Sequence, residues 1–95
     1  MHFEWDPKKE ELNRAKHKIS FPEAATVFSD NAAAIFDDPK HSVSEHREII
    51  IGTSIKERVL LVSFTERNGN LRIISARSAN KYERETYQAQ KKGNS

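Results

Sequence analysis

Asn68-Gly69 stands between two runs of alternating apolar residues and constrains this chain more than any other pair. Both residues tolerate positive backbone angles, so together they favour a two-residue type I′ turn whose twist suits the flanking strands. The turn joins a strand ending near Arg67 to one beginning near Asn70 and sets them antiparallel. In the first, over Arg58 to Thr65, Leu60, Val62 and Phe64 share one face and Val59, Leu61 and Ser63 the other. In the second, strict alternation puts Leu71, Ile73, Ser75 and Arg77 on one face and Arg72, Ile74 and Ala76 on the other. One face therefore runs from packing residues to a charged tip, at the same sheet end as Arg58.

Past Arg77 the spacing becomes helical, through Ala79, Tyr82, Glu83, Thr86 and Tyr87, and predicts a last helix over residues 79–91. Arg77 thus stands at a strand-to-helix junction. An arginine tethered there can grip an anion, or it can pair with an acidic residue at the sheet edge. Tyr82 and Tyr87 read as packing residues, with base stacking as the alternative. Residues 1–92 are expected to form one domain, and 93–95 a flexible tail.

Upstream, Phe3 and Trp5 alternate with polar neighbours as a short first strand. Asp6-Pro7 is a helix opening, and a helix over about 7–16 follows, with Leu12 and Ala15 turned to the sheet. Lys16, His17 and Lys18 interrupt it with concentrated positive charge. A neutral His17 could accept a proton from a ribose hydroxyl; the alternative is capping and packing at a helix end. Ser20 caps a second helix, Glu23 completes a capping box, and Phe21, Ala24, Ala25 and Phe28 form its apolar stripe. Ala32 to Phe36 reads as a helical extension or a short strand, and Asp37-Asp38-Pro39 as a turn. From Arg47 an antiparallel meander begins, and Ile49-Ile50-Ile51 predicts a strand buried on both faces. Gly52 marks a bend or a close approach.

The 95 residues suit one small core, and 36% hydrophobic content argues against wholesale disorder. With no cysteine there are no disulfides, thiol nucleophiles or thiolate metal sites. Asp38-Pro39-Lys40-His41 and Glu45-His46-Arg47 gather carboxylates and imidazoles, but their spacings match no strong zinc pattern. No metal or cofactor is expected. Without a membrane-length apolar run or a secretory leader, a cytoplasmic protein with no membrane partner is the simplest reading. Residues 22–45 carry one base against five acids, and residues 66–95 seven bases against three acids. The basic end suits a nucleic-acid backbone or an acidic protein, or is an ordinary solvated surface.

The chain resembles the BrnT toxins, small bacterial ribonucleases of type II toxin–antitoxin systems. The resemblance runs through Phe3-Glu4-Trp5-Asp6, Lys9, Asn13, Lys16-His17, Ile19, Phe21, Glu23-Ala24 and Val27-Phe28. It resumes at Asp38, His41, Glu45, Arg47 and Ile51-Gly52, and is strongest over Arg72 to Arg77, with Ala79, Glu83-Arg84 and Tyr87 following. Lys18 departs from it, standing where glycine is common, as does the polar tail after Tyr87.

The resemblance implies an α+β fold: a RelE-like small antiparallel sheet with two N-terminal helices and one C-terminal helix. It implies an RNA substrate, inhibition of translation and a BrnA-like ribbon-helix-helix antitoxin that masks the toxin and contacts operator DNA. A hetero-oligomer of two toxins and two antitoxins is the corresponding assembly. Together with side-chain chemistry it marks Arg77 and Arg47 for phosphate stabilisation and His17 for proton transfer. Lys16, Arg58, Lys81 and Arg84 are candidate RNA contacts, and His41 and Glu45 supporting residues. The competing reading is a non-catalytic nucleic-acid or protein-binding module.

Overall fold

The computed structural model describes residues 2–93. In chain order the elements are β1 (Phe3–Glu4), α1 (Pro7–His17), α2 (Phe21–Thr26), β2 (Ala34–Asp37), β3 (Glu48–Thr53), β4 (Val59–Arg67), β5 (Asn70–Ser78) and α3 (Lys81–Gly93). Short 3-10 turns lie at Val27–Ser29 and Pro39–His41. This is the expected α+β architecture, and the open alternative at 32–36 resolves to the strand β2. The five strands run in the order β1-β5-β4-β3-β2. The sheet is not wholly antiparallel, because β1 pairs with β5 in parallel, Phe3 opposite Leu71 and Glu4 opposite Arg72.

The hairpin forms as its turn predicts. Asn68 and Gly69 have φ of 54° and 81°, and Arg67 pairs with Asn70. Alternation along β5 fails, however. Ser63 pairs with Ser75 but Phe64 pairs with Ile73, so Ile74 is an extra residue bulged out of the ladder. The bulge reverses the faces on either side of it. Ile73 joins Ala76 in the core under α1 and α2, while Arg77 stands on the opposite face, paired with Leu61. The expected single face of Leu71, Ile73, Ser75 and Arg77 does not exist.

Both sheet faces are covered, as the isoleucine run predicts. On one face Ile19, Phe21, Ala24 and Val27 pack on Ile50, Leu60, Val62, Phe64 and Ile73. Phe28 sits at 4.9 Å and 83° from the Phe64 ring, an edge-to-face contact. On the other face Ile51 and Leu61 pack with Tyr87 of α3. The Tyr87 hydroxyl donates to Asp30 Oδ2 at 2.5 Å, and the same carboxylate accepts from the backbone of Thr53 and Ala32. Burial would raise the Asp30 pKa, but these hydrogen bonds outweigh it and hold the group below its ordinary value. Gly52 is a close approach, since a Cβ there would lie 2.9 Å from both Ala33 Cβ and Val27 Cγ1.

Helix α1 corrects the expectation in an informative way. Leu12 is 70% exposed and Ala15 is exposed, whereas Asn13 is buried. Strand β1 covers only the start of β5, which leaves the backbone of Ala76 open beyond it. The Asn13 amide fills that place. Its Nδ2 donates to Ala76 O and Ile19 O, both at 2.9 Å, and its Oδ1 accepts from Ala76 N at 3.0 Å. An amide side chain has the donor and acceptor of a peptide group, so one asparagine substitutes for the missing strand. Sheet docking through a polar residue explains why the apolar signal of α1 is weak.

Three further local expectations are revised. Ser20 caps α2, with Glu23 N–H donating to Ser20 Oγ at 3.2 Å, but the Glu23 carboxylate turns instead to Arg58 and Ser54. Helix α3 begins after a capping box, Asn80 with Glu83, whose side chains each accept the other's backbone N–H at 2.8 Å. That helix runs to Gly93, beyond the expected helix end at 91; residues 94–95 lie outside the described residues. Tyr82 is 76% exposed and does not pack, whereas Tyr87 is buried.

Candidate active site

A cleft of about 620 Å³ opens on the sheet face that carries Arg77. Leu61 and Ser63 of β4, Ser75 of β5 and Ile49 of β3 form its floor. Its polar walls come from four separate parts of the chain. Lys16 and His17 arrive from the end of α1, Asp38 and His41 from the turn after β2, Arg47 from the start of the meander, and Arg77 with Glu83 from the β5–α3 junction.

Arg77 is both paired and placed in the cleft. Its Nη1 and Nη2 donate to the two oxygens of Glu83 at 2.7 and 2.8 Å, and Nη1 also donates to Ser78 O at 3.2 Å. The hydrogen bonds from Arg77 hold the Glu83 carboxyl below its ordinary value, and the same bonds raise the guanidinium. Among the described residues, the Nε–H and one Nη2–H of Arg77 have no protein acceptor, and those donors are available to an anion.

Arg47 is held differently. Glu45 accepts from its Nε at 3.4 Å and is itself bridged to Arg67 at 3.0 Å. The hydrogen bond from Arg67, then that from Arg47, keeps Glu45 below its ordinary value against some desolvation. Among the described residues, both Nη groups of Arg47 are without a protein acceptor. Arg47 therefore presents the fork geometry that fits two phosphate oxygens. Glu45 does not line the cleft, and its contact is with the arginine that does.

The imidazoles also separate by their partners. His41 Nδ1 lies 2.9 Å from Asp38 Oδ2. An ionised carboxylate only accepts, so Nδ1 carries the proton and Nε2 of the neutral ring is left as an acceptor. The spacing Asp38-x-x-His41 on a 3-10 turn, where residues three apart stand above one another, was the available signal. His17 makes no side-chain hydrogen bond among the described residues. The C-cap of α1 is made by Lys18 instead, in the left-handed region at φ 60°, with its N–H on Arg14 O. Glycine would take that conformation without strain.

Other predicted residues lie elsewhere. Arg58 grips Glu23 with Nε at 2.9 Å to Oε2 and a closer contact from Nη2 to Oε1, and it also donates to Lys18 O at 3.3 Å. It is an internal clamp and does not line the cleft. Lys81 and Arg84 line a separate depression along α3 with Gln88, and Arg84 Nη1 donates to Ala79 O at 2.7 Å. Asp38 and Glu83 are the residues that sequence reasoning left out of the site. Near the cleft, Asp37, His46 and Glu48 bring three potential ligand atoms within 4.8 Å of one another. Asp37 and Glu48 face each other across strands, and His46 Nε2 lies 3.2 Å from Asp37, a contact that offsets their repulsion when the ring donates.

No helix among the described residues is long and apolar enough to cross a membrane. A family profile described as "Ribonuclease toxin, BrnT, of type II toxin-antitoxin system" matches residues 5–83. The crystal structure of the Brucella abortus ribonuclease toxin BrnT superposes with a TM-score of 0.67 at 27% identity, covering 85% of this chain and 99% of that one. No curated protein matches significantly.

Proposed function

Because this chain belongs to the BrnT family of ribonuclease toxins of type II toxin–antitoxin systems, we propose that it is a cytoplasmic, metal-independent endoribonuclease that stops translation by cutting RNA. The observation that carries this reading is the convergence of His17, the Asp38–His41 pair, Arg47 and Arg77 on one cleft. Cleavage needs a base for the ribose 2′-hydroxyl, positive charge at the phosphate and an acid for the leaving oxygen. His41 Nε2 takes the 2′-hydroxyl proton as that oxygen bonds to phosphorus. Arg47 and Arg77 hold the non-bridging oxygens as negative charge grows on them. The bond from phosphorus to the 5′ oxygen breaks, and His17 serves as the acid that delivers a proton to that oxygen. Lys16 adds charge at the rim.

The products are a 2′,3′-cyclic phosphate and a free 5′-hydroxyl. Chelator-treated protein incubated with defined RNA, with and without ribosomes, should yield those ends. Binding without cleavage would leave a non-catalytic module as the better description. The partner is a BrnA-like antitoxin, whose acidic segment would cover the same cleft, with operator DNA contacted through the antitoxin and two copies of each chain in the complex. A complex that still bound RNA in the cleft would overturn masking.

A further inference from the structure

Beside the charged cleft lies a smaller slot of about 290 Å³, lined by Phe36, Ile49, Ile51, Leu61, Tyr82, Glu83 and Thr86. Ile49, Leu61 and Glu83 line both cavities, so the two adjoin. Two aromatic rings border the slot and both meet solvent: Phe36 is 38% exposed and Tyr82 is 76% exposed. Phe36 belongs to the sheet edge, where it pairs with Ile49, and Tyr82 to the first turn of α3. Buried Tyr87 on the same helix already serves the core, so packing does not account for Tyr82.

We propose that this slot receives one nucleobase of an RNA whose adjoining phosphate occupies the cleft, with Tyr82 and Phe36 as stacking residues. The inference rests on the ribonuclease reading and adds to it a base-binding subsite. Three features select this occupant. The slot lies at the lower end of the ~300–1,000 Å³ range of small-molecule pockets, which suits one planar ring system. Its walls are apolar while the adjoining cleft is cationic, which matches a base attached to a phosphate. The carboxylate of Glu83, fixed by Arg77 and Asn80, stands at the boundary as an acceptor for a base N–H.

The probe is a fully 2′-O-methylated oligoribonucleotide carrying 2-aminopurine at successive positions, which cannot be cut and dims when its base stacks. Wild-type protein should quench one position strongly. Tyr82→Ala and Phe36→Ala should each abolish that quenching and weaken binding roughly tenfold. Tyr82→Phe should behave as wild type, and Tyr82→Leu as Tyr82→Ala, separating stacking from plain apolar contact. Because Tyr82 is exposed, its variants keep the fold, which circular dichroism checks. No quenching by wild type, or equal quenching by Tyr82→Ala, would overturn the proposal. So would variants that weaken only antitoxin binding, since the slot would then be a protein anchor. Cleavage of unmodified RNA reports on the parent reading independently. Active wild type with unchanged KM in both alanine variants sinks the slot alone, whereas Tyr82-dependent quenching without any cleavage keeps the slot and sinks the ribonuclease.

Discussion

Glu83 receives both arms of the Arg77 guanidinium, at 2.7 and 2.8 Å, and so ties the last strand to the first turn of the last helix. The pair is partly open to solvent, with Arg77 40% exposed, which limits its value to stability and leaves the arginine reachable from the cleft. Arg77→Ala should lower RNA cleavage by roughly 10²- to 10³-fold through loss of charge at the phosphate. Arg77→Lys should recover little, because an ammonium cannot occupy Glu83 and a phosphate in one plane. Glu83→Gln should lower Tm by a few degrees, about what a partly exposed pair contributes. Single-turnover kinetics beside thermal melts would distinguish these effects.

Asp38 and His41 should behave as one unit. His41→Ala is expected to cost about 10²- to 10⁴-fold in cleavage, and Asp38→Asn less, because the amide still occupies the site but no longer dictates the tautomer. In the double variant, Asp38→Asn should add nothing to the loss from His41→Ala. Full multiplicative loss in that cycle would show that the two act separately.

Asn13→Ala should destabilise the fold by roughly 2–4 kcal/mol, since it strands the buried N–H and C=O of Ala76. Tm should fall by more than about 10 °C, and Asn13→Leu should not restore it despite its greater apolar surface. Thermal denaturation of the two variants decides the point.

Lys18→Gly should stabilise. The left-handed residue at φ 60° closes α1, and a side chain there costs roughly 1–2 kcal/mol that glycine avoids. Glycine's larger unfolded-state entropy offsets part of that gain, so an increase of about 0.5–1 kcal/mol in urea titration is expected.

Glu23 sets part of the acid limb of stability. Its hydrogen bonds from Arg58 outweigh desolvation and keep its folded pKa below the ordinary 4.5. The unfolded state therefore binds the proton more readily, and stability from this group is present above that value and lost as pH falls through the lower folded one. Asp30 and Glu83 act in the same direction. Glu23→Gln should flatten the loss of stability below pH 4.5 while lowering stability at neutral pH, as urea titrations across that range would show.

Much of the frame was legible because its causes are local. Asn68-Gly69 sets a hairpin through the backbone angles of two residues, Asp6-Pro7 opens a helix with one carboxylate, and three isoleucines announce a strand covered on both sides. The family resemblance likewise marked His17, Arg47 and Arg77, all of which line the cleft, together with Arg58, which does not. Arg58 and Arg77 are the same residue type at the same sheet end. Their fates differ because Glu23 stands on one face of the sheet and Glu83 on the other, and nothing near either arginine in sequence states which face it takes.

By itself the sequence determined the central hairpin and every element but the one at 32–36, since each follows from interactions within a few residues. Only the tertiary structure decided the faces. The bulge at Ile74 depends on how β4 and β5 accommodate Phe64 over the core, and it carries Arg77 from the expected face to the opposite one. The burial of Asn13 depends on how far a strand at the other end of the chain covers β5. Register and edge satisfaction are properties of chains laid side by side, and one extra residue in a strand is enough to invert them.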